Sequence, residues 1–200
     1  MKKRSYQMED RARAVERTRE AILCAAYELW LTDDYDHVTL ERVAARAAVT
    51  KQTVIRQFGS KEQLAYATVD WQRPREEAGR AVAPGDAKSA VAALVGRYEK
   101  MGDANVRLLA IEQRVPAIRY LMEQARDSHR KWIEHVFAPY LPQRAGASRR
   151  RRVSAFYAAT DVTLWKLLRR DLQLSRDDVR AVFLDLVTGL MTTGRGTGES

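Results

Sequence analysis

Thr39, Thr50 and Ser60 stand eleven and ten residues apart, and each opens a short run of helix-forming residues. A Thr or Ser hydroxyl can accept a hydrogen bond from a free N–H in a helix's first turn. After Thr39, the residues Leu40, Val43, Ala44 and Ala47 fall on one helical face. After Thr50, Val54 and Phe58 do the same, four residues apart. The stretch "AAV" between the two runs leaves about three residues for a turn. Gly59 ends the second run, and Ser60 opens a third with Glu62 and Gln63 in its first turn. Upstream, a helix is expected from about residue 10 to 32, with Ile22, Ala25, Ala26, Leu29 and Trp30 on one face, and "TDDYDH" breaks it. Three helices in about 45 residues, two of them short and joined by a tight turn, have the spacing of a helix-turn-helix.

The remainder also reads as helix. The chain has 200 residues with only 10 Gly and 5 Pro, and no sustained strand alternation or internal repeat. The helix opened by Ser60 is expected to run to about Trp71, with Pro74 interrupting or restarting it. "APGD" at 83–86 is a loop. Helices follow at about 87–101, 104–114, 116–138, 149–172 and 175–192, with breaks at "MGDAN", Pro116, "APYLPQRAGAS" and "LQLS". The expected fold class is all-α with about nine helices. The expected organisation is a helix-turn-helix domain at 10–72 (motif about 39–58), a regulatory domain at 75–193 and a disordered tail at 194–200. No apolar run approaches the ~18 residues a membrane span needs. "MKKRSYQMEDRARA" has basic residues but no apolar stretch after them, unlike a signal peptide. The cytoplasm is the expected compartment. Cys24 is the single cysteine and lies in an apolar helical pattern, as a buried thiol would.

The net charge of +9 suggests an acidic partner, but its distribution matters more. Residues 1–64 hold 12 basic and 10 acidic residues, and residues 65–200 hold 23 and 16. The local pattern is sharper: from Arg42 to Lys61 there are five basic residues and no acid. In a helix-turn-helix the second helix enters the major groove and the first braces it. The face opposite Val54 and Phe58 carries Lys51, Gln52, Thr53, Ile55, Arg56 and Gln57, which are the base-reading candidates. Gln suits adenine, Arg suits guanine or a phosphate, and Thr and Ile can touch a thymine methyl. Thr39, Arg42, Thr50, Ser60 and Lys61, with the cluster Lys2, Lys3 and Arg4, are phosphate candidates, since helix N-termini and cations favour phosphate.

The stretch "TREAILCAAYELWLTDDYDHVTLERVAARAAVTKQTVIRQFGSKEQL" resembles the DNA-binding domain of the tetracycline-repressor (TetR) family. The likeness covers about 50 continuous residues without a gap. Asp34 and Ala48 stand where that family usually has Gly, Ile55 where it often has a phosphate-contacting Tyr, and Gln57 where it often has His. The resemblance implies that Thr39 and Lys61 contact DNA. It also implies a C-terminal ligand-binding and dimerisation domain whose last two helices pair with a partner's copies. The expectation that follows is a homodimeric repressor released from a palindromic double-stranded operator by a small molecule. An activator on the same fold is an alternative, as is a helical ligand-binding or scaffold protein that has lost DNA binding.

In the C-terminal half, Ile118, Met122, Ala125, His129, Trp132 and Val136 form one helical stripe. Candidates for an apolar ligand pocket are Tyr98, Tyr120, Met122, His129, Trp132, Phe137, Tyr157 and Trp165. Candidates for the dimer interface are Phe156, Thr160, Leu164, Leu167, Val179, Val182, Leu186 and Leu190. "SRRRR" at 148–152 is read as a solvated loop and helix start. His129 and His135 are six apart, off one face, with no Cys or carboxylate to complete a metal set. There is no Gly-rich phosphate loop, HExxH or G-x-S-x-G. No cofactor and no catalytic activity are expected.

Overall fold

The computed structural model describes the backbone of residues 2–193 and the side chains of residues 10–192. The side chains of Lys2, Lys3 and Arg4 and the tail at 194–200 lie outside the described residues. The fold is all-helical: α1 (Lys2–Thr32), α2 (Leu40–Arg46), α3 (Lys51–Phe58), α4 (Lys61–Ala78), α5 (Ala87–Ile111), α6 (Pro116–Val136), α7 (Ala147–Ala158), α8 (Val162–Lys166) and α9 (Arg176–Thr193). Single 3₁₀ turns lie at Tyr35–His37 and Ala138–Tyr140, and a π-helical turn at Leu167–Asp171 continues α8.

Residue contacts divide the chain into two units. The first comprises Met1–Pro74 with Ile111–Leu121, and the second comprises Arg75–Ala110 with Met122–Ser200. The core of the first is built from Ile22, Leu23, Ala25 and Ala26 of α1, Val38, Val43 and Ala44, Val54 and Phe58 of α3, and Leu64. The core of the second centres on Val91, Leu94 and Tyr98 of α5, Ile133 and Phe137, Phe156, Trp165 and Phe183.

Two expected helix breaks are absent, and one break appears where a continuous helix was expected. "MGDAN" does not interrupt α5, which continues to Ile111. Gly102 there serves a close approach: a Cβ on it would lie 2.3 Å from Cζ3 of Trp165. α4 passes through Pro74 to Ala78. The expected helix at 149–172 is instead interrupted at Ala159–Asp161, where Asp161 caps α8 by accepting from the Thr163 N–H at 2.8 Å. α1 also begins well before residue 10. A short polar residue in such a stretch fits a helix interior and a cap equally well until its three-dimensional neighbours are fixed.

Candidate nucleic-acid interface

Both short helices are capped by the hydroxyls that the sequence places at their heads. Thr39 Oγ1 accepts from the Arg42 N–H at 3.3 Å, and Thr50 Oγ1 accepts from the Thr53 N–H at 3.2 Å. Ser60 Oγ accepts from the Gln63 N–H at 3.1 Å at the head of α4. Between α2 and α3, Ala48 takes the left-handed conformation with φ +53°. The Val49 N–H bonds the Ala44 carbonyl and the Ala48 N–H bonds the Ala45 carbonyl. This pair of bonds is a Schellman ending, with alanine where glycine would be unstrained. Gly59, at φ +78°, turns the chain out of α3.

With Val54 and Phe58 buried, α3 turns its other side outward. Lys51, Gln52 and Arg56 are exposed, and Thr53, Ile55 and Gln57 are half-buried. Thr39, Arg42, Thr50 and Ser60 are exposed as well. The predicted base-reading residues and these phosphate candidates therefore belong to one short, doubly capped segment.

Most cations of this segment already have partners. Arg42 donates to Asp33 Oδ2 at 2.5 Å and to the His37 carbonyl at 2.8 Å. Arg46 donates to Glu28 Oε2 through Nε at 2.9 Å and Nη2 at 2.6 Å, which holds the Glu28 carboxyl below its ordinary range. Lys51 pairs with Glu41. Lys61 is turned inward: its Nζ donates to the Tyr35 carbonyl and sits 4.2 Å from the centre of the Tyr35 ring. Burial lowers its pKa. Among the described residues Arg56 makes no ion pair. The sequence window from Arg42 to Lys61 contains no acid, but Glu28, Asp33, Asp36 and Glu41 reach it through the fold. Nothing in the spacing announces these pairs, because Arg46 and Glu28 are 18 positions apart. One more arginine was not anticipated: Arg114, in the segment Ile111–Leu121, donates to both oxygens of Asp36 at 3.3 and 2.6 Å.

The ligand and dimer candidates are distributed differently from expectation. Tyr120 belongs to the first unit, where its hydroxyl donates to Asp70 Oδ1 at 3.1 Å and accepts from Arg73 at 3.2 Å. Tyr98, Met122, His129, Trp132, Phe137, Tyr157 and Trp165 belong to the second. Phe137 lies flat on Phe156 with ring centres 4.2 Å apart, and Trp165 is fully buried with its Nε1 donating to Glu99 at 2.9 Å, so both are core. Met122 is buried too. Tyr98 donates to the Thr160 carbonyl at 2.8 Å. His129 stacks on Trp132, and its Nε2 lies 3.0 Å from Thr160 Oγ1. Burial, with Arg80 and Arg97 nearby, pushes the His129 pKa down to about 3.

Of the dimer candidates, Phe156, Thr160 and Val179 are fully buried within the unit and are corrected to core. Thr160 continues the inward face of Val153 and Phe156, and its hydroxyl donates to the Phe156 carbonyl at 2.6 Å. Leu167 and Leu186 are exposed, while Leu164, Val182 and Leu190 are half-buried. In "SRRRR", Arg149 donates to the Pro142 carbonyl and Arg152 to the Leu190 carbonyl, each at 3.0 Å. Among the described residues no three His, Cys, Asp or Glu could hold a metal ion. No described helix is long and apolar enough to cross a membrane.

Residues 22–68 match the family model described as bacterial regulatory proteins, tetR family. Over 59 residues the chain is 37% identical to the HTH-type transcriptional regulator TcmR of Streptomyces glaucescens. That match covers 30% of this chain and 26% of TcmR, so the chain spans about a quarter of that curated relative's length. A solved structure assigned to the TetR-family transcriptional regulators, from Rhodococcus sp., is similar with a TM-score of 0.65 at 17% identity, over 88% of this chain and 99% of that one. NalD, the secondary repressor of the MexAB-OprM multidrug efflux pump in Pseudomonas aeruginosa, is similar with a TM-score of 0.54 at 22% identity, over 87% of this chain and 96% of its own. At these identities the likeness to solved structures is one of fold. Residues 22–68 thus form a domain of the kind found at the N-terminus of tetR-family bacterial regulatory proteins.

Proposed function

We propose that this chain is a sequence-specific DNA-binding transcriptional regulator, acting as a homodimeric repressor that a small molecule releases from a palindromic operator. The observation that carries this reading is the two-sidedness of α3: Val54 and Phe58 are buried while Lys51, Gln52 and Arg56 face solvent between two capped helix starts. Side chains of this kind on the exposed side of a short helix suit the edges of base pairs in a major groove. The uncapped N–H groups at the heads of α2, α3 and α4 suit phosphates. Exposed Leu167 and Leu186, with half-buried Leu164, Val182 and Leu190, are the proposed dimer contacts. Two such protomers on a twofold axis would meet a palindrome. The repressor role draws support from NalD, itself a repressor. Release by a ligand is a coupling between two sites, so DNA and ligand must weaken each other's binding equally.

The ion pairs of Arg42, Arg46 and Lys51 favour a second reading, a helical ligand-binding protein with lost DNA affinity. Retention of genomic DNA fragments across a salt series separates the two. A regulator retains a discrete set of fragments at moderate salt, with affinity falling as salt rises. Retention of no fragment would end the regulator reading.

A further inference from the structure

Arg80 is a buried cation without an anion. It is 6% exposed, in the second unit. Its Nη2 donates to Ser128 Oγ at 2.7 Å. Its Nε is buried and has no hydrogen-bond partner. Among the described residues no carboxylate forms an ion pair with it. Glu76, whose charge acts on Arg80, is held by Arg97 at 2.5 Å. Glu77 also acts on it, from an exposed position. Two guanidinium groups thus stand against one half-buried carboxylate. A buried, unpaired charge is expensive, and Arg is almost never fully buried without a partner.

The surroundings are aromatic. The Trp132 indole N–H donates to the Arg80 carbonyl at 2.9 Å. His129 stacks on Trp132 with planes 13° apart, and the Tyr157 ring stands edge-on to His129 at 4.9 Å. With its pKa lowered by burial and by Arg80 and Arg97, His129 is neutral at pH 7 and adds no competing cation. On a guanidinium, Nε–H and one hydrogen of the neighbouring Nη form a fork that matches the two oxygens of a carboxylate. Here Nε is unengaged, and Nη2 has a second hydrogen besides the one on Ser128.

We propose that Arg80 anchors the carboxylate of a small organic acid bound in the second unit beside Trp132 and His129. That this acid is the effector rests on the ligand-released regulator proposed above; the binding itself does not. A planar, singly charged molecule matches this chemistry, because one fork is unengaged and aromatic rings stand beside it. The full chain is titrated calorimetrically with benzoate and phenylacetate, and with benzamide and phenylacetamide as uncharged counterparts. At least one acid binds, at least tenfold more tightly than its amide. Arg80→Met abolishes that preference and leaves the ligand-free melting temperature equal or higher, since a stranded charge is removed. Arg80→Lys, which keeps the charge but not the fork, melts as the parent does and binds the acid several-fold more weakly. The inference is overturned if neither acid binds, if acid and amide bind alike, or if Arg80→Lys binds the acid as tightly as the parent. DNA-fragment retention is measured on the same preparation without acid present. Fragments retained without acid binding overturn this inference alone, and acid binding without retained fragments overturns the regulator reading alone.

Discussion

The outer face of the helix-turn-helix and the interior of the second unit treat charge in opposite ways. On the first, Arg42, Arg46 and Lys51 lie at the surface and each pairs with an acid brought in by the fold. In the second, Arg80 is buried with no acid to answer it, beside a histidine forced neutral. Surface pairs are worth little, about 0–1 kcal/mol each, and exchange readily for phosphates. A buried unpaired cation is costly until a ligand arrives. On the proposals above, the contrast is that a polyanion would be met by breaking weak, screened pairs, whereas a small anion would be met by completing a site already short of one.

The anchoring of the exposed face should show the largest effect. Phe58 is 8% exposed and carries Arg19 stacked 4.7 Å from its ring centre. Phe58→Ala should lower stability by about 3 kcal/mol in urea unfolding, through lost burial and the cavity left behind. A loss below about 1 kcal/mol would mean that α3 is not held as described, and its outward side would lose its meaning as a fixed reading face.

The buried region should respond to pH. The His129 pKa in the folded chain is pushed down to about 3, below its ordinary value of about 6.5. As pH falls below about 6.5 the unfolded chain takes up a proton that the folded chain refuses. Stability is therefore complete above that pH and declines as pH drops toward 3. Between pH 7 and 5 the expected loss is about 2 kcal/mol. His129→Gln should flatten that slope, and an unchanged slope would show that His129 is accessible to protons.

These two regions also differ in how far they could be read from the chain. The caps at Thr39, Thr50 and Ser60 and the Val54/Phe58 pair are local patterns. Hydrogen bonding within three or four residues determines them, so the short helices and the outward face were legible. Ion pairs such as Arg46 with Glu28 depend on how α1 lies beside α2, which no spacing encodes. Thr160 looked like one member of an outward stripe. Its inward position is shared with buried Val153 and Phe156, and the break that Asp161 caps separates that face from Leu164 and Leu167, although Asp161 looks like any surface residue until the break is seen. Gly102 looked like a helix breaker, yet it makes room for the Trp165 ring. Arg80 carried no signal at all, since nothing in the spacing around it marks it as buried.

Smaller effects sharpen the same contrast at the turn itself. Thr50→Ala should cost about 1 kcal/mol, the usual value of an N-cap, and should weaken DNA binding through a frayed α3. Ala48→Gly should stabilise by about 0.5–1 kcal/mol, because φ +53° strains alanine and not glycine. Thermal unfolding of both variants checks the two signs together.

The central claim is that the outward face of α3 reads bases. It is tested most directly by measuring affinities of Gln52→Ala, Arg56→Ala and Arg42→Ala for the best selected fragment and for random duplex DNA. Gln52→Ala and Arg56→Ala should each lose about 1–3 kcal/mol on the selected fragment and much less on random DNA. Arg42→Ala should lose affinity equally on both. Equal losses on both DNAs for all three variants would contradict the account.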